Sequence, residues 1–271
     1  MAMNWLSTIK SWLRGHGRKA RMAGAADSSD PQEALGGVKW VSEQDSPFGI
    51  EVLDCRPVAT TMVSTTTDPN IAETFARLRS SRGEQHRERL PENAWRMSCD
   101  LTYPHVGEHK DGPIFIAPDM DHKWDIYLHD GHLFFSRSWT GELVFVAGIE
   151  LEPPTARLAS ITSDADLWEN DSTYVTAVVD YLVKSHLYKV VVPHPLPRDM
   201  SKGTAGQLAL LSFSQYGRLG LYGTFGETTA FRVHRDTGGS YTVSGRRGSV
   251  DAKPAGESAV ENHTALRAET A

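Results

Sequence analysis

The stretch from Asp119 to Leu151, DMDHKWDIYLHDGHLFFSRSWTGELVFVAGIEL, constrains the fold more than any other part of the chain. Two tight-turn signals, Asp130-Gly131 and Thr140-Gly141, separate three runs rich in aromatic and β-branched residues. Such spacing predicts a three-stranded antiparallel meander. A two-residue turn at Asp130-Gly131 sets Leu128 opposite Leu133, Ile126 opposite Phe135 and Trp124 opposite Arg137. A turn at Thr140-Gly141 sets Arg137 opposite Val144 and Phe135 opposite Val146. The opposite face then carries Tyr127, Phe134, Ser136, Ser138, Leu143 and Phe145.

A middle strand apolar on both faces belongs to a sheet covered on both sides. The covers are expected to be helices over 172–188 and 204–216. Tyr174, Val175, Val178, Tyr181 and Leu182 mark the first, with Asp171 or Ser172 as N-cap. Leu208, Leu211 and Phe213 mark the second, which ends at Gly217. A further helix is expected over 70–80, with Asp68 capping and Pro69 at its first position. Ser81 to Glu92 is densely charged and reads as an exposed loop or loose helix. Strands are expected at Val38–Val41, Gly49–Arg56, Ala94–Tyr103, Ile114–Ile116, Leu158–Thr162, Val190–Val192 and Ala230–Arg235. Gly217, Gly220, Gly223 and Gly226 read as bends that bring backbone close to something.

These elements define an α+β domain over 38–235, with a mainly antiparallel sheet and helices packed on its faces. Before it, residues 27–37 read as a linker and 1–26 as a basic amphipathic segment. Trp5, Leu6, Ile9, Trp12 and Leu13 share one helical face, and no acidic residue precedes Asp27. Weak contact with an anionic membrane surface through Trp5, Ile9 and Trp12 is one expectation for it; packing on its own domain is the other. Residues 236–271 read as a disordered tail.

A net charge of −6 over 271 residues argues against general nucleic-acid binding, since no global basic field exists to neutralise phosphates. Only Cys55 and Cys99 are present, which fits free thiols in a reducing cytoplasm. Cytoplasmic placement, with peripheral contact at the inner membrane surface, is the corresponding expectation. No run approaches the ~20 apolar residues of a membrane span.

Arg137 emerges among apolar residues and needs a partner. Trp124 offers a cation–π contact and Asp54 or Asp100 an ion pair. It reads either as an anchor for a carboxylate or phosphate, with Trp139, Trp124 and His122 as companion ligand-binding residues, or as a core ion pair. His105, His109, Asp119, Asp121, His122, His129 and His132 crowd one region, but no metal-ligand motif joins them, and neither a metal nor a cofactor is expected. No nucleophile elbow occurs. Cys99 sits on a face expected to be buried, and Lys202-Gly203-Thr204 lacks the upstream glycines of a phosphate loop.

The run Lys123 to Val146, KWDIYLHDGHLFFSRSWTGELVFV, resembles a pattern in uncharacterised bacterial proteins: Lys-Trp, a hairpin, then Arg-Ser-Trp-Thr-Gly. The resemblance implies a shared core and brings no assigned activity or catalytic residue. It leaves residues 1–90 and 200–271 unaddressed. Two functions remain open on these grounds. One is a binding or accessory protein that recognises another macromolecule, such as a protein partner. The other is a small-molecule enzyme or ligand-binding domain for a nucleotide or other anionic compound, held by Arg137.

Overall fold

Asp130 and Gly131 both take positive φ, 48° and 69°, which suits the twist of a two-residue hairpin turn. In the computed structural model, β-strands Trp124–His129 and His132–Arg137 pair in the expected register, with Trp124 opposite Arg137 and Leu128 opposite Leu133. The structure describes residues 36–166, 170–245 and, as backbone, 248–250. The amphipathic segment 1–26 and Trp168 lie outside the described residues.

The second hairpin departs from the expected register. Phe135 faces Phe145, and Ser136 faces Leu143 across a bulge. The cause lies in the preceding loop. The Ser138 amide donates to the Lys123 carbonyl at 3.1 Å, and the Ser138 hydroxyl to the His122 carbonyl at 2.7 Å. The Trp139 indole donates to the Met120 carbonyl at 2.8 Å. Ser138 and Trp139 are thereby unavailable to the next strand, and the turn widens to Ser138–Gly141. The Arg137 amide closes it on the Glu142 carbonyl. Phe145 consequently joins the first face and stacks on Trp124 with centroids 5.7 Å apart. Val146 moves to the second face, against Tyr127 and Phe134.

The fold is mixed α+β with mainly antiparallel sheets. Number the strands β1 (Lys39–Val41), β2 (Val52–Asp54), β3 (Ala94–Pro104), β4 (Gly112–Phe115), β5 and β6 (the first hairpin), β7 (Leu143–Glu152) and β8 (Thr155–Asp164). They are followed by β9 (His194–Pro195), β10 (Tyr222–Thr224), β11 (Arg232–Arg235), β12 (Tyr241–Gly245) and β13 (Gly248–Val250). The helices are α1 (Arg56–Thr61), α2 (Pro69–Leu78), α3 (Ser172–Leu182) and α4 (Ala205–Tyr216). The large sheet runs β3-β8-β7-β6-β5-β4, a smaller one β1-β2-β10-β9, and a third β11-β12-β13. Val190–Val192 is not a strand. The expected last strand, β11, begins a sheet that continues through residues assigned to a disordered tail, because Val243 is buried against the main core.

Helix starts follow their caps. Asp68 accepts from the Asn70 amide, Asp171 from the Tyr174 amide, and Thr204 with Gln207 forms a capping box. α3 lays Val175, Val178, Val179 and Leu182 on the first face of the large sheet, against Trp124, Ile126, Phe135 and Phe145. α4 does not cover the second face as expected. Leu208, Ala209 and Phe213 pack with Leu53, Cys55 and Val58 in a separate core beside the smaller sheet.

The cover of the second face comes from the charged stretch after α2, which is mostly exposed as expected but turns Gly83 and His86 inward. His86 is buried, its ring 5.5 Å from that of Tyr127. Gly83, at φ 84°, lies so close to the Tyr127 ring that a Cβ there would approach it to 2.4 Å. Arg79 fastens this strap by a bidentate pair to Asp125, at 3.0 and 2.7 Å.

Candidate functional site

Arg137, Trp124, Trp139 and His122 gather at the open end of the first hairpin, and local geometry accounts for each. β6 directs the Arg137 guanidinium across the first face toward the C-terminus of α4. There it donates to the Gln215 carbonyl at 3.1 Å and the Ser214 carbonyl at 2.9 Å. The Trp124 indole donates to the same Gln215 carbonyl at 2.7 Å, and the guanidinium lies 4.7 Å from the Trp124 ring centre. The last carbonyls of a helix carry no intrahelical partner and a partial negative charge, so a buried cation is well matched to them. Asp54 and Asp100 take no part: they bind Arg56 and Arg157. With Trp124 1% exposed and Arg137 9%, an anion could reach this guanidinium only by parting α4 from the sheet.

His122 and Trp139 belong to an adjoining hub built on the loop 119–123. Asp119 accepts from the His122 ring at 2.7 Å and from the His122 and Asp121 amides. Partial burial pushes the Asp119 carboxyl up, but the His122 bonds outweigh it and hold it below the usual carboxylate range. Asp121 accepts from Arg218 at 3.1 and 2.8 Å and from the Ser64 amide. Gly217 packs directly on the Asp121 carbonyl. Sequence reasoning passed over the centre of this hub, Lys123. Its ammonium donates to the Ser64 hydroxyl and the Met120 carbonyl, 4.8 Å from the Trp139 ring centre and 5.0 Å from that of Phe213.

Burial pushes the Lys123 ammonium down to about 7; Arg137 and Arg218 act in the same direction, and Asp121 and Asp119 oppose it. Unfolding restores an ordinary lysine, so between the two pKa values the unfolded chain binds more protons than the folded one. Stability should therefore rise with pH above about 7, by up to about 1.4 kcal/mol per pH unit. Denaturant titrations from about pH 7 to 9 should show this rise in the native chain and a flatter profile in Lys123→Met. Parallel profiles would exclude the assignment.

Among the described residues no group of three or more His, Cys, Asp or Glu is placed to hold a metal ion. The His105 and His109 rings lie tilted against each other with centroids 4.8 Å apart, and the His132 ring bonds the Asp130 carbonyl. Both thiols are free, and burial pushes Cys55 up to about 12 and Cys99 up to about 11. Neither is poised as a thiolate nucleophile.

A different place is open. Where β11 crosses the C-terminal half of β3, a cleft of about 550 Å³ is lined by Asp100, Thr102, Tyr103, Arg232, His234 and Arg235, among others. Val233, between Arg232 and His234, anchors β11 in the main core, which leaves its charged neighbours exposed. Behind the cleft, the Tyr103 hydroxyl donates to Asp180 at 2.8 Å, and Lys184 pairs with the same buried carboxylate. The sequence signal for this wall is the alternation in Phe231-Arg232-Val233-His234, which specifies a strand and nothing more. Its juxtaposition with β3 joins residues about 130 positions apart. Set against protein-family models, curated proteins and solved structures, the chain matches none.

Proposed function

We propose that the chain is a binding or accessory module that recognises another macromolecule, most simply a protein partner. The observation that carries this reading is the open cleft at the margin of the large sheet, walled by exposed arginines. The rival, an anion-binding enzyme centred on Arg137, would need a guanidinium already bound to helix carbonyls.

The reading is tested with the full chain in a lysate of its source organism. A partner should co-elute in fixed stoichiometry and re-form the complex from purified components. Recovery of no such complex, together with a ligand-dependent thermal shift from a nucleotide that Arg137→Ala abolishes, would favour the rival.

No helix among the described residues is long and apolar enough to cross a membrane. Peripheral contact through Trp5, Ile9 and Trp12 is part of the same proposal, supported by the one-sided basic and aromatic pattern of residues 1–26. In liposome co-sedimentation, vesicles with anionic lipid should pellet the full chain and leave a chain beginning at Val38 in solution. Equal pelleting of both would remove the membrane contact.

A further inference from the structure

We infer that the edge strand β3 takes up an extended acidic segment of a partner protein as an added strand, its carboxylates against Arg232 and Arg235. This rests on the reading of the chain as a macromolecule-binding module and names the chemistry of what it binds.

The large sheet has two margins, and they differ. Both are bulged, β3 between Ser98 and Leu101 and β4 between Pro113 and Phe115, but β4 is short and carries Pro113, which has no amide hydrogen to offer an incoming strand. β3 runs from Ala94 to Pro104 and meets its first proline only at its end. Among the described residues its ladder partner is β8 alone. In an antiparallel edge strand, alternate residues direct their amides and carbonyls away from the sheet, where an added strand can bond them. Residues 94–99 of β3 precede the cleft lining, which begins at Asp100, and the Arg96, Ser98 and Asp100 side chains are exposed.

The charge on the cleft selects the occupant. Arg232 and Arg235 project from β11, and among the described residues neither forms an ion pair; His234 stands between them. The carboxylate on the β3 side, Asp100, is taken by Arg157, which also holds Glu150. Arg157 is shared by two carboxylates, but among the residues lining the cleft two arginines stand against the single carboxylate Asp100, so the balance there is positive. A carboxylate on an added strand would meet guanidinium groups that need no rearrangement of existing pairs.

The test uses the full chain and a fluorescent peptide of alternating valine and glutamate. Saturable binding is expected. A peptide of alternating valine and lysine should not bind. The Arg232→Gln/Arg235→Gln chain should bind the glutamate peptide at least tenfold more weakly, while its thermal unfolding stays that of the native protein. N-methylation of alternate peptide amides should weaken binding by at least tenfold in one of the two registers, since it removes the donors to the β3 edge. Hydrogen exchange at Ala94–Asp100 should slow in the complex.

Equal binding of both N-methylated peptides would overturn strand addition, as would displacement by a single-stranded oligonucleotide at equal concentration. So would no binding at all. A purified partner retained equally by native and double-variant chains would leave the binding-module reading standing while removing this site.

Discussion

Arg79→Ala should destabilise the fold by about 3–5 kcal/mol, the range for removing one partner of a buried ion pair. Asp125 is fully buried on the second face of the sheet, and besides Arg79 it accepts from the Ala117 amide at 2.8 Å. The Arg79 guanidinium also donates to the Ala117 and Ser138 carbonyls, so it joins α2, the 117 loop and the widened turn at once. Without it a carboxylate remains in an apolar setting. Burial already pushes the Asp125 carboxyl upward, against the opposing pull of Arg79.

In the variant, the folded state should hold the Asp125 proton to higher pH than the unfolded state does. The stability deficit should then narrow as pH falls through that range. Chemical denaturation at neutral and acid pH checks both statements. The double replacement Arg79→Met/Asp125→Leu should cost less than the single one, because no charge is stranded. A loss below about 1 kcal/mol for Arg79→Ala would show that the pair is effectively solvated.

The second large effect is expected at Gly217. Its φ of 61° favours glycine, and a Cβ there would come within 1.7 Å of the Asp121 carbonyl oxygen. That oxygen belongs to a backbone held by the Arg218 amide and, through Asp121, by the Arg218 guanidinium. Neither side can yield cheaply. Gly217→Ala should cost roughly 3 kcal/mol or more, combining backbone strain with a separated contact. The loop 119–123 should loosen from the end of α4, and the fluorescence of Trp124 and Trp139, which both bond to this junction, should change. Gly220→Ala, at φ −73° and with nearest neighbours beyond 3.0 Å, should cost less. Equal losses at both glycines would deny Gly217 its special place.

Much of the candidate region was legible from residues alone. The turn at Asp130-Gly131 specifies the first hairpin, because positive φ at both positions matches strand twist. That register alone places Arg137 beside Trp124. The caps at Asp68, Asp171 and Thr204 are equally local. The second hairpin was legible as a pairing but not in its register. Its turn is widened by Ser138 and Trp139 bonding to carbonyls of residues 120–123, an interaction outside any turn rule. The Trp124 ring was readable as a partner of Arg137, but its hydrogen-bond acceptors were not: charge complementarity suggested a carboxylate, whereas the fold supplies the carbonyl end of α4.

By itself, then, the sequence determined what short-range geometry controls: the β5–β6 pairing, the helix starts, and the apolar character of both faces of the middle strand. Tertiary structure decided which element covers each face, where the buried cations find their counter-charge, and which sheet margin stays open. Those outcomes depend on contacts between distant segments, such as Arg79 with Asp125 or β11 with β3, and no local propensity encodes them. The meander carries the residues that first suggested a site, and there Trp124 and Arg137 are enclosed. The open cleft arises instead from β11 meeting an edge strand more than a hundred residues earlier.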